Sequence, residues 1–105
     1  MAIATINPFT GQTEQEFEAH SEAEVDRRIA AAQSAFEALR QTTFAQRAEW
    51  MRRAAELLEA DADELGRLIT IEMGRPIKAA RAEVLKSAKG LRFYADRSEE
   101  RRVGR

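Results

Sequence analysis

The side chains that carry out most protein chemistry are scarce in this sequence. Its 105 residues include no cysteine and one histidine, His20, which removes disulfides, thiolate metal sites and cysteine nucleophiles from consideration. A general base must lie within hydrogen-bond reach of the proton it takes. His20 stands just ahead of a helix-start signal with no nucleophile beside it, so an exposed structural role is the better reading. Asp61, Asp63 and Glu64 could hold a cation or form an acid/base pair. Acids also crowd helix starts, where the macrodipole favours negative charge, and on that reading no metal is expected. Arg52-Arg53 and Arg101-Arg102 could meet phosphates, but they lack interleaved aromatic residues. With 17 basic against 18 acidic residues and a formal net charge of -1, no nucleic-acid partner is expected. No phosphate-cradling glycine motif is present. The sequence therefore offers no catalytic, cofactor-binding or metal-ligating residue.

The elements that would position such residues are easier to read. A composition of 44% hydrophobic and 33% charged residues suits an ordered globular chain of one small domain, or a piece of a larger one. Ile3 to Ile6 and Thr13 to Phe17 read as strands around Asn7-Pro8-Phe9-Thr10-Gly11, which has turn residues where a hairpin loop wants them. Ser21 and Glu24 form a capping-box pattern, followed by a helical stripe of Val25, Ile29, Ala32, Phe36 and Leu39 expected to bury one face, with Arg27, Arg28, Gln33 and Glu37 on the wet side. Thr43 and Gln46 repeat the pattern at once, so the first two helices should form a hairpin or a sharp bend. Ala48, Met51, Ala55 and Leu58 line the second helix, widened by Trp50, Ala54 and Leu57. Trp50, Met51 and Met73 read as core packing rather than a ligand pocket.

Asp61 and Glu64 suggest a further start or bend, and Leu65, Leu68, Ile69 and Met73 make a third stripe ending at Gly74, a candidate left-handed cap. Pro76 suits the first turn of a last helix, carried on by Ile77, Ala80, Val84, Ala88, Leu91 and Ala95, with Gly90 a mild weakness. The fold class is thus mostly α with a short N-terminal β-hairpin. Two strands do not make a stable sheet alone, and helices with wide apolar stripes and a sheet too small to receive them suggest that part of the intended core is missing. No apolar run is long enough to span a bilayer, and Met1 to Asn7 lacks the basic start and apolar core of a signal peptide. No membrane partner is expected, and the default location is cytoplasmic.

Three stretches in this order resemble one family. Asn7-Pro8 to Gly11 resembles the "NPxTG" opening of NAD(P)-dependent aldehyde dehydrogenases, Gln46-Arg47-Ala48 to Leu57-Leu58 their "R-A-x-x-L-x-x-x-A-x-x-L" helix, and Glu72-Met73-Gly74-Arg75-Pro76 their "E-x-G-K-P" junction. Arg75 replaces the usual lysine with the charge kept. Ala79 to Val84 and Phe93-Tyr94-Ala95 are also similar to the family's next helix, so the resemblance runs from Ala2 to about Asp96. Ala4-Thr5-Ile6-Asn7-Pro8 and the Glu24-Val25 helix start look most like the succinate-semialdehyde branch.

The resemblance implies an N-terminal fragment of the α/β aldehyde dehydrogenase fold, here residues 1–96. In that family a cysteine thiolate attacks the aldehyde, hydride passes to NAD or NADP, and water activated by a glutamate frees the acid. The nucleophile, general base, oxyanion asparagine and cofactor-binding strands all lie downstream of the matching region. The fragment is expected to be inactive and to bind no cofactor alone. Its implied partners are the remainder of the parent enzyme and possibly neighbouring subunits, and its exposed stripes favour self-association.

Arg97-Ser98-Glu99-Glu100-Arg101-Arg102-Val103-Gly104 match the in-frame translation of a widely used short-read sequencing adapter, so residues 97–105 read as a non-native tail. The alternative from another class is a stand-alone helical binding or assembly module that holds a partner helix on its exposed stripe.

Overall fold

The computed structural model describes residues 3–103, with side chains through residue 98. Strand β1 (Ile3–Ile6) pairs antiparallel with β2 (Thr13–Phe17), Ile3 facing Phe17 and Thr5 facing Gln15. The register slips between Thr5 and Ile6, which faces Thr13, so Glu14 is the extra residue of a bulge. Asn7 builds the loop. Its Oδ1 accepts from the Phe9 and Thr10 amides at 2.9 and 3.4 Å, and its Nδ2 donates to Glu14 at 3.1 Å. Gly11, at φ 74°, donates to the Asn7 carbonyl at 2.8 Å. Every residue of β2 is exposed.

Helix α1 (Glu22–Leu39) starts on Ser21, whose Oγ accepts from the Glu24 amide at 3.1 Å. Only that half of the expected capping box forms. The Glu24 carboxylate turns forward to Arg27 and Arg28, at 2.6 and 2.9 Å, because two charge-assisted bonds outweigh one to the neutral Ser21 amide. The expectation that α1 buries its apolar stripe fails more fully. No residue of α1 is buried, and no Cα of it lies within 8 Å of another element. The chain turns through residues 40–43 into α2 (Phe44–Ala60) without forming a helical hairpin. Its joint is pinned by Arg47, whose guanidinium donates to Leu39 O and Thr42 Oγ1, both at 2.9 Å. The radius of gyration is 18.2 Å, well above the ~13 Å of a compact chain of this length.

At the start of α2 both halves of the capping box are present: Gln46 N–H to Thr43 Oγ1 at 3.1 Å and Thr43 N–H to Gln46 Oε1 at 2.9 Å. Asp61 is a bend shared by α2 and α3 (Ala62–Met73), and its side chain caps neither. Gly74 ends α3 in the left-handed region, φ 73°, with its N–H on Thr70 O at 2.9 Å. Pro76 stands at the start of α4 (Ile77–Val103), its carbonyl accepting from Ala80 N–H. This helix continues past Ala95, where the apolar stripe ends, into the adapter-like stretch. The side chains of that stretch from residue 99 lie outside the described residues.

The core is a seam of small residues between α2, α3 and α4. Ala48, Ala55, Ala80, Ala88 and Ala95 are fully buried, with Ala62 and Val84 nearly so. Alanine lets helix backbones approach closely, and charged side chains close over the flanks: Arg52 to Asp96 at 2.8 Å, and Arg92 to Glu59. The closest approach is at Gly66, where an added Cβ would stand 3.1 Å from Arg81 Cα and N. The hairpin docks on the end of α3, with Thr5 Oγ1 donating to Glu72 at 3.2 Å and Pro8 against Gly74.

Candidate functional site

None of the sequence-level candidates for chemistry is brought together with another. His20 is exposed ahead of α1. Asp63 bonds to Arg81 at 2.5 Å across the α3–α4 crossing, which makes it a structural ion pair, while Asp61 and Glu64 stay exposed at the helix start. Arg52 and Arg53 both face carboxylates, those of Asp96 and Glu56. Arg101 and Arg102 have side chains outside the described residues. Among the described residues no three of His, Cys, Asp and Glu are grouped as metal ligands, and no helix is long and apolar enough to cross a membrane.

The perturbed ionisations are surface events. The Arg27 hydrogen bond, opposed by slight desolvation and aided by Arg28, holds the Glu24 carboxyl below the usual glutamate range and raises Arg27 in turn. Glu59 likewise raises the Arg92 guanidinium. Neither pair faces a cleft where a substrate could react.

What the structure does present is uncovered apolar surface. Leu58, Leu65, Leu68, Ile69 and Val84 line an open groove of about 400 Å³ between the helices, with Glu72 and Glu83 at its rim. Arg75, bonded to Glu83 at 3.0 Å, continues that rim beside Met73 and Pro76. Trp50 and Met73 do not pack into a core as their spacing suggested. They are 53% and 76% exposed, since the faces that carry them meet no other described element. Phe9 at the hairpin tip is 93% exposed. Ordinary monomers rarely leave large contiguous apolar patches open. The small-residue seam follows the apolar stripes of the sequence, which carry Ala48, Ala55, Ala80, Val84, Ala88 and Ala95, and Ala62, seven residues after Ala55, extends it.

Known proteins resemble this chain along nearly its whole length. The profile of the Aldehyde dehydrogenase family matches residues 1–104. An aldehyde dehydrogenase of Paenarthrobacter nicotinovorans is 52% identical over 94% of the chain. A probable succinate-semialdehyde dehydrogenase (NADP(+)) of Synechocystis is 54% identical over 95% of it, and a succinate-semialdehyde dehydrogenase (NADP(+)) 1 of Mycobacterium ulcerans 57% over 91%. Among solved structures, Gox0499, described for its cofactor and substrate selection, superposes with a TM-score of 0.90 at 33% identity over 95% of this chain. The chain spans only about a fifth of these proteins' own length, 21 to 22%.

Proposed function

The chain belongs to the aldehyde dehydrogenase family, and from that premise we propose that it is the amino-terminal part of an enzyme that oxidises succinate semialdehyde to a carboxylic acid. The observation that carries this reading is 52 to 57% identity to succinate-semialdehyde dehydrogenases over nine-tenths or more of the chain. Those relatives are named for NADP(+), which favours NADP(+) over NAD in the parent.

On this reading residues 3–96 build a supporting layer. The alanine seam fixes α2, α3 and α4 to one another, Gly74 and Pro8 seat the hairpin, and the open groove and Trp50 face receive the remainder of the parent or a neighbouring subunit. Thiolate attack and hydride transfer belong to that remainder, since these 105 residues contain no cysteine. The chain alone is therefore inactive, holds no cofactor and contributes no catalytic residue. The parent is cytoplasmic, and residues 97–105 are adapter-derived.

The test is to amplify the locus from source DNA with a primer in the Ser21 to Leu39 coding region and read past the Asp96 codon. A frame continuing into a chain with a cysteine nucleophile and cofactor-binding strands supports the proposal. Genomic codons for Arg97 to Arg105 followed by a stop would overturn it and leave a helical binding module as the better reading.

A further inference from the structure

Arg47 is a cation placed against the interest of its own helix. It lies in the first turn of α2, which holds no acidic residue, and a positive charge there works against the helix dipole. Helix α1 has the opposite lack. Its last turn holds no basic residue, although the dipole favours a cation at that end, and the guanidinium of its C-cap, Arg40, lies over the Phe36 ring, 5.8 Å from the centroid. The Arg47 side chain crosses the joint and supplies the missing cation from the next helix.

Its contacts are directional as well as electrostatic. Arg47 Nε donates to Thr42 Oγ1 at 2.9 Å, and a terminal nitrogen donates to Leu39 O at 2.9 Å and to Thr42 O at 3.4 Å. The Thr42 hydroxyl passes the link on by donating to Leu39 O at 2.6 Å. The guanidinium also stands 5.7 Å from the centroid of the Phe44 ring. One planar side chain therefore touches the last residue of α1, the joint and the first residue of α2. Packing between elements does not fix the angle, since no Cα of α1 lies within 8 Å of another element. Each of the joint residues 40–43 brings two soft backbone dihedrals. Charge-assisted bonds are roughly twice as strong as neutral ones, and the rigid guanidinium fork loses little freedom in making two of them.

We propose that Arg47 is the positioning residue of the α1–α2 joint: its guanidinium, clamped on Leu39 O and Thr42 Oγ1, holds α1 at one angle to the α2–α4 seam without apolar packing. The α1 stripe and the groove between α2, α3 and α4 thereby keep a fixed relation before any neighbour covers them. The inference concerns the joint alone and stands whichever aldehyde the parent oxidises.

Double electron–electron resonance on the whole chain tests it. The sequence has no cysteine, so spin labels go only where cysteines are introduced, at the exposed Ala31 of α1 and Ala60 of α2, with unlabelled chain in excess to remove distances between molecules. The expected result is one narrow distance peak with Arg47 in place, lost to a broad distribution in Arg47→Met. Thr42→Val, which removes one of the two clamped oxygens, should give an intermediate width. The urea midpoint of α2–α4 should stay unchanged in both variants, because neither side chain enters the buried seam. A broad distribution with Arg47 in place, a narrow peak retained in Arg47→Met or in Thr42→Val, or a broadening accompanied by a lowered midpoint, which would make Arg47 a support of the seam, would each overturn the proposal.

Discussion

One substitution, glycine to alanine, should have opposite effects at two helical positions. In each helix the change contributes roughly 0.5–1 kcal/mol by restricting the unfolded chain and removing the glycine penalty. At Gly90 in α4 nothing lies within 4 Å of the added Cβ, so that gain should appear whole. At Gly66 in α3 the same Cβ meets Arg81 Cα and N at 3.1 Å and Arg81 Cβ at 3.4 Å. Those are mostly backbone atoms of α4, which yield only if the two helices separate along a seam that also buries Ala62, Ala80 and Val84. Overpacking of this kind costs about 1–3 kcal/mol, which exceeds the propensity gain. Gly66→Ala should therefore be destabilised by about 1 kcal/mol net and Gly90→Ala stabilised by about 0.5–1 kcal/mol. With a urea slope near 1 kcal/mol/M, the midpoints should move by up to about 1 M in opposite directions, read by far-UV circular dichroism. Gly66→Ala shifting upward as Gly90→Ala does would refute the claim that the α3–α4 crossing depends on backbone contact.

Gly74→Ala places a side chain at φ 73° and 3.0 Å from Pro8 Cγ, so a loss of about 1–2 kcal/mol is expected, with the hairpin amides losing hydrogen-exchange protection first. Thr43→Ala removes the hydroxyl that accepts from the Gln46 amide while leaving the Thr43 N–H bond to the Gln46 side chain, and should lower the urea midpoint by the equivalent of about 1 kcal/mol. Ser21→Ala should reduce α1 helicity without moving that midpoint, because α1 packs on no other element. The Glu24 pair supplies a pH dependence. Its folded-state pKa is depressed by Arg27, so its contribution is present above the unfolded glutamate value and is lost as pH falls through the lower folded value. Residue-resolved NMR should show Glu24 titrating below the usual glutamate range, with α1 helicity falling over that window and insensitive to it in Glu24→Gln.

Much of this was legible from local rules. Ser21, Thr43, Gly74 and Pro76 are signals that act over a few residues, and each sits at a helix boundary. The hairpin was equally local, fixed by Asn7 and Gly11. The failures are long-range. Val25, Ile29, Phe36, Trp50 and Met73 have core periodicity, yet periodicity states only that a face should be covered, not that the covering element is within the chain. Glu24 was assigned to Ser21 because a capping box counts one neighbour, whereas Arg27 and Arg28 compete for the same oxygens with full charges. The alanine seam, by contrast, was legible from periodicity: Ala48, Ala55, Ala80, Ala88 and Ala95 lie on the expected stripes of α2 and α4 and are all buried, and only Ala62 was not on a named stripe. The ion pairs are long-range as well: Asp63 with Arg81 and Asp96 with Arg52 join residues far apart in sequence, which residue types alone do not reveal.

The most direct measurement is reduction of NADP(+) by succinate semialdehyde, followed by absorbance, for the 105-residue chain and for residues 1–96 joined to the coding sequence that follows them at the source locus. The expected result is no turnover from the chain and substrate-dependent turnover from the continued enzyme, abolished when the downstream cysteine nucleophile is replaced. Turnover by the 105-residue chain on its own, or a continued protein that folds and leaves succinate semialdehyde untouched, would contradict it.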